Sequence, residues 1–245
     1  MPLDSNFYDQ AAFAVRFEWG EAAITHLAPG CEAVVIVDVL SFSTAVDVAL
    51  VRGASVFPYR WRDDSAARFA QEQNALLASH ERRSGNMFSL SPASLATLPE
   101  GSRLVLPSPN GATLSALARE TGAAVFTACF RNAAAVAGYV RERFGTVLVV
   151  AAGERWPDNS LRPAAEDLWG AGAVISALNL PVSPEAQAAA AAFLEVRPHL
   201  PERLRACSSG RELEERGFLA DLDLAAEAGV SEVAPLLGNG AYVRA

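Results

Sequence analysis

The residues best placed for chemistry are charged groups that follow directly on apolar runs. Asp38 closes the run Val34-Val35-Ile36-Val37 and precedes Ser41, Phe42, Ser43 and Thr44. A carboxylate there can hold a hard cation, while the Ser43 and Thr44 hydroxyls and the N–H groups opening the next helix can take an anion. The alternative is that Asp38 caps the turn and Ser43 caps the helix. Glu154 and Arg155 follow a second run, 147–152, through Gly153. Charges beside a buried strand need partners. Glu154 can ligate a metal and Arg155 can grip a phosphate oxygen through its planar fork, or the two pair with each other at the rim. The segment Pro107-Ser108-Pro109-Asn110-Gly111 places Asn110 and Gly111 at a helix start, which makes either an anion cradle or a plain turn. Arg131 and Asn132 add a cation and a helix-capping side chain after Cys129 and Phe130. Glu166 and Asp167 lie in a helix that is otherwise small and apolar, where only one of two adjacent carboxylates can face squarely inward. Asp38, Glu154 and one of Glu166 and Asp167 together offer the oxygen donors that Mg²⁺ takes, its other positions being left to water and substrate.

The elements that must carry these residues follow from periodicity. Continuous hydrophobic runs at 33–37, 54–58, 104–106, 123–127 and 147–151 predict strands covered on both faces. Helical stretches at 43–52, 63–79, 111–120, 132–144 and 162–178 alternate with them. That order predicts an α/β fold, a layered α/β/α arrangement around a largely parallel sheet. Two last runs, 233–237 and 241–243, read as edge strands that would make the sheet mixed. From about residue 181 the chain is more helical, beginning with an Ala-rich helix at 184–194, and no Pro-, Gly- or Ser-rich linker divides it. One domain over 1–245 is expected. In open α/β sheets the ligand crevice lies beyond the carboxyl ends of the strands, where all these candidates except the Glu166-Asp167 pair fall.

Composition bounds the partners. With 245 residues, 51% of them hydrophobic and 20% charged, the chain can bury a large core. A net charge of -8 argues against nucleic acid, whose affinity rests on clustered Lys and Arg. No run approaches the ~20 apolar residues that span a bilayer, and the opening Met-Pro-Leu-Asp-Ser lacks a signal-peptide layout. A cytoplasmic protein with no membrane partner is expected. Cys31, Cys129 and Cys207 are scattered and read as buried thiols, and His26, His80 and His199 form no zinc motif. A small anionic phosphoester and a second copy of the chain, as a homodimer, are the partners considered.

Five segments in order resemble the 2-phosphosulfolactate phosphatase family: Val35-Ile36-Val37-Asp38-Val39-Leu40, Ser108-Pro109-Asn110-Gly111, Gly153-Glu154-Arg155, Ala165-Glu166-Asp167 with Gly170 to Gly172, and Cys207-Ser208-Ser209-Gly210-Arg211-Glu212-Leu213. The resemblance runs from about Val34 to Asn239. It implies Mg²⁺-dependent hydrolysis of 2-phospho-3-sulfolactate to 3-sulfolactate and phosphate, a step in coenzyme M biosynthesis. It also implies Asp38, Glu154 and Asp167 as catalytic carboxylates, and Asp38, Glu154, Glu166 and Asp167 as metal ligands. It makes Asn110, Gly111 and Arg155 substrate contacts, to which position after a strand adds Ser43, Thr44 and Arg131 as candidates, with attack either by water or by Asp38 itself. One departure stands out. The family pattern has Arg and a small residue after Asp-Val-Leu, and this chain has Ser41 and Phe42. Phe42 could narrow the pocket, and the alternative to an active phosphatase is a diverged member that binds a small anion or metal without turnover.

Overall fold

The structure, a computed structural model, describes residues 8–61, 63–79 and 87–245; His80 lies outside them. In chain order the elements are β1 (Val15–Trp19), α1 (Gly20–Leu27), β2 (Ala33–Val37), α2 (Phe42–Val51), β3 (Ser55–Tyr59), α3 (Ser65–Glu72), β4 (Leu76–Leu77), α4 (Pro92–Leu95) and β5 (Arg103–Pro107). There follow α5 (Gly111–Glu120), β6 (Ala124–Ala128), α6 (Ala133–Arg141), β7 (Val147–Ala151), β8 (Glu154–Arg155), β9 (Leu161–Arg162), α7 (Ala165–Leu178) and α8 (Pro184–Val196). The chain ends with α9 (Leu200–Ala206), α10 (Ser208–Glu215), α11 (Leu219–Ala226), β10 (Pro235–Gly238) and β11 (Ala241–Arg244).

Among the described residues one nine-stranded sheet runs in the order β1-β7-β2-β6-β10-β11-β3-β5-β4. Five of its eight pairings are parallel, which makes the sheet largely parallel and mixed. Strand periodicity of two explains the layering. On β2, Val34 and Ile36 face α1 and α5 beside Ile24, Leu27 and Leu114. Ala33, Val35 and Val37 face the opposite layer, beside Val136 of α6, Ile175 of α7 and Ala189 of α8. Both faces are covered, so the fold is the expected layered α/β/α arrangement. No described helix is long and apolar enough to cross a membrane.

The structure corrects three expectations. The last two strands are not edges: β10 pairs with β6 and β11 with β3, so their hairpin sits in the middle of the sheet. Its turn is Asn239-Gly240, both at positive φ, the geometry that matches strand twist in a two-residue hairpin. Tyr242 is fully buried there, edge-on to Phe42, with its hydroxyl 2.8 Å from Ser115 Oγ. Next, the run 63–79 is not one helix. It breaks after Glu72 at Asn74, whose φ is +48°, and continues as β4. Finally, α7 begins at Ala165 rather than Arg162, because Leu161 and Arg162 pair with Glu154 and Arg155 in a separate two-stranded hairpin ahead of Pro163. The edge strand β1, Val-Arg-Phe-Glu-Trp, interleaves charges with apolar residues and so lacks the continuous pattern of the inner strands.

Candidate active site

Strands β2 and β7 are neighbours and parallel, so their carboxyl ends lie side by side. That adjacency brings Asp38 and Glu154 to one cleft of about 900 Å³, together with Ser41, Ser108, Pro109 and Asn110. Asp38 is held on both oxygens by backbone donors. The Phe42 N–H donates to Oδ1 at 3.2 Å and the Gly111 N–H donates to Oδ2 at 2.9 Å. Glu154 Oε2 accepts from Asn110 Nδ2 at 3.0 Å. Burial pushes the Glu154 carboxyl up to about 7, and the negative charges of Asp38 and Glu166 push it further than Asn110 and Arg162 pull it back. A carboxyl titrating near neutrality beside a second carboxylate is a common mark of a functional site.

Gly111 is required by this geometry. A Cβ there would lie 2.2 Å from Phe42 Cδ1 and 2.8 Å from Phe42 Cβ, and Phe42 is fully buried. Gly111→Ala is therefore expected to lower the unfolding free energy by about 1–3 kcal/mol through overpacking. Urea denaturation checks this, and a wild-type midpoint would contradict the close approach.

With Arg162 directly across the β8–β9 hairpin from Glu154, arginines share the cleft. Arg162, Arg155 and Arg216 all border it, with Ser209 and Glu212 of α10. Arg162 is half-buried and reaches Ser209 Oγ at 3.4 Å. Arg155 pairs with Glu21 at 2.5 Å and donates to the Asn159 carbonyl at 3.2 Å, so it does not pair with Glu154. Arg216 pairs with Glu212 one turn earlier at 2.9 Å. Sequence reasoning missed Arg162, Arg216 and Ser209 as cleft residues. The Trp156-Pro157-Asp158-Asn159 turn could have flagged the hairpin that carries Arg162; nothing local marks Arg216.

Other expected contacts lie elsewhere. The Ser43 hydroxyl accepts from the Asp38 N–H at 2.9 Å and lies 2.6 Å from Thr127 Oγ1, while Thr44 donates to the Val39 carbonyl at 2.8 Å. Both are fully buried and tie the turn after β2 together, rather than facing an anion. Arg131 is drawn inward by Asp47, which is fully buried and 2.8 Å from Arg131 Nε, and it also meets Glu227 and the Leu224 carbonyl. It is a structural ion pair, because a buried carboxylate without a cation would be strongly destabilising. Phe42 packs in the core and does not narrow the cleft; Ser41 alone of that pair borders it.

Contrary to the expectation that only one of them faces inward, Glu166 and Asp167 are both buried, each against different neighbours. Glu166 borders a different recess with Arg203 and Cys207. Asp167 is buried beneath the cleft, where its oxygens accept the N–H groups of Val39 and Gly153, each at 2.8 Å. Neither borders the cleft as a metal ligand would. Burial raises the Asp167 carboxyl well above the usual range, with Glu166 and Asp38 adding to the effect. Cys207 is pushed up to about 12, chiefly by burial, and Cys129 likewise to about 12, so neither thiol is nucleophilic at neutral pH.

Among the described residues no three carboxylate, His or Cys side chains are gathered to hold an ion. Mg²⁺ needs no such cage, since one or two carboxylates, water and substrate phosphate complete its shell. Asp38 and Glu154 have the donor chemistry for that role. A search of curated proteins found no match. A family model described as 2-phosphosulpholactate phosphatase matches residues 22–240, nearly the whole chain and every cleft residue named above. The chain belongs to the 2-phosphosulpholactate phosphatase family, a family of phosphoric monoester hydrolases.

Proposed function

We propose that this chain is a Mg²⁺-dependent phosphatase for a small, multiply anionic phosphoester. The observation that carries the reading is one cleft bordered both by Asp38 and Glu154 and by Arg155, Arg162 and Arg216. The family's substrate, 2-phospho-3-sulfolactate, has the matching chemistry, with phosphate, sulfonate and carboxylate on a short carbon frame; its product would serve coenzyme M biosynthesis.

Asp38 and Glu154 would hold the metal. When bound, Mg²⁺ neutralises charge on the phosphoryl group. The arginine forks hold the substrate's remaining anionic groups and orient the ester. Water is the better nucleophile than Asp38, whose two oxygens are both engaged by backbone N–H groups. The water's oxygen bonds to phosphorus and gives up a proton, the P–O ester bond breaks, and the leaving alkoxide takes up a proton, so that one water is consumed per ester. Glu154, which sits near 7 only in the metal-free protein, would be ionised as a ligand and would serve as a charge rather than as the acid.

The test is phosphate release from 2-phosphosulfolactate, phosphoglycolate and phospholactate, with Mg²⁺ and with EDTA. Turnover with Mg²⁺ alone supports the proposal, and the preferred ester identifies the substrate. No release from any ester would overturn it. Ser41, in place of the family's Arg, favours a second reading in which a diverged site binds the anion without turnover; activity gained only in Ser41→Arg would favour that reading. Within the active case, Arg162→Ala is expected to raise KM about tenfold to a hundredfold, since a lost charged hydrogen bond costs ~1.5–3 kcal/mol. Steady-state KM and kcat check this, and an unchanged KM would remove Arg162 from substrate binding.

A further inference from the structure

We propose that Asp167 is a positioning residue that sets the spacing between Asp38 and Glu154, and is neither a ligand nor a catalytic group. Four hydrogen bonds run through three pairs of sequence neighbours and close on Asp167. Asp167 Oδ1 accepts the Val39 N–H at 2.8 Å, and Val39 follows Asp38. Asp38 Oδ2 accepts the Gly111 N–H at 2.9 Å, and Gly111 follows Asn110. Asn110 Nδ2 donates to Glu154 Oε2 at 3.0 Å, and Glu154 follows Gly153. The Gly153 N–H returns to Asp167 Oδ2 at 2.8 Å.

The ring joins the turns after β2, β5 and β7, the three segments that bring Asp38, Asn110 and Glu154 to the cleft. Of its side chains, Asp167 alone does not border the cleft. Its seat is rigid. One turn further along α7, a Cβ on Gly170 would lie 2.6 Å from Val39 Cγ2 and 2.8 Å from Val37 Cγ1, so the helix lies flush on the end of β2. Gly153 has φ +68° and its Cβ would meet Leu161 at 2.7 Å, which leaves that turn little room to drift. A carboxylate suits the position because it presents two acceptors to two N–H donors. An amide has one acceptor and would set its NH₂ against the other donor.

The metal readout rests on the proposed Mg²⁺ reading, and the exchange readout stands without it. Amide hydrogen exchange would be measured on metal-free wild type, Asp167→Asn and, should that fail to fold, Asp167→Ser. Mg²⁺ binding by calorimetry, with MgCl₂ alone, would use the same samples and Glu154→Gln with its double variant. Exchange is expected to quicken at Val39 and Gly153 and also at Gly111, across the ring. Mg²⁺ affinity should fall about 10–100-fold, as for lost second-layer partners of metal ligands. The losses in the double variant should be less than the sum, as for coupled residues. Unchanged protection at Gly111 overturns the proposal, as does a fully additive double variant, which marks an independent ligand. A lowered unfolding midpoint with wild-type Mg²⁺ affinity in the folded protein also overturns it. If wild type binds no Mg²⁺, the metal reading fails separately, and Gly111 exchange alone decides: faster exchange supports the ring and unchanged exchange refutes it.

Discussion

Asp38→Asn is expected to keep the fold and lose phosphate release by about 10²–10³-fold, the scale seen when one preorganised electrostatic contact to a transition state is removed. Two magnitudes separate activity from stability here. The amide retains one acceptor, and it will face the Gly111 N–H, the shorter of the two contacts at 2.9 Å against 3.2 Å from Phe42. One buried donor is left unpaired, which costs about 1–3 kcal/mol. The backbone bond from Ser43 N–H to the Asp38 carbonyl and the bond from Asp38 N–H to Ser43 Oγ survive the change. The negative charge that would meet the cation is lost altogether. Phosphate release at saturating ester, set beside urea denaturation, checks both parts. A variant with more than about a tenth of wild-type turnover would remove Asp38 from the reaction.

Glu154→Gln is expected to flatten the pH dependence of stability in the metal-free protein. The folded carboxyl sits at about 7, raised from 4.5 by burial and by the charges of Asp38 and Glu166. The folded state therefore binds more protons than the unfolded chain between those values, so stability is full below about pH 4.5 and is lost as pH rises through about 7. The loss for wild type in EDTA should reach about 2–3 kcal/mol by pH 8, somewhat less than the full shift implies because the group is only half-buried. The amide carries no charge and should be the more stable of the two at pH 8. Bound by Glu154 as proposed, Mg²⁺ would favour the ionised carboxylate, so its addition to wild type near pH 7 should release protons. Denaturation at pH 5 and pH 8 with EDTA is the measurement; equal slopes for the two proteins would mean that Glu154 is not the group held near neutrality.

Much of the layered sheet was legible in the sequence. The runs 33–37 and 147–151 are continuous apolar stretches, and they coincide with β2 and β7 because strands covered on both faces cannot carry polar residues. The strand-end rule then led to Asp38 and Glu154, which do share a cleft. The same rule led to Arg131, Ser43 and Thr44, which do not. Position after a strand says where a side chain starts, and the partner it finds decides where it ends. Arg131 is claimed by Asp47, 84 positions away, and no local pattern reports such a pairing. Helical geometry suggested that only one of Glu166 and Asp167 turns inward, yet both are buried, and Asp167 is the one that takes the N–H groups of Val39 and Gly153, at the ends of two other strands.

By itself the sequence determined the alternation of strand and helix, the covered sheet, and the carboxylates that end β2 and begin the segment after β7, because each follows from local apolar runs and turn residues. Tertiary structure alone decided that the Asn239-Gly240 hairpin enters the middle of the sheet, where Leu236 pairs with Phe126 of β6 and Tyr242 with Val56 of β3, partners far away in sequence. It also decided that Arg162 and Arg216 border the same cleft as Asp38 and Glu154. The physical reason is common to both. Local chain geometry is set by neighbours in sequence, whereas the partner of a buried or charged group is set by whatever donor, acceptor or apolar surface the completed fold brings within reach.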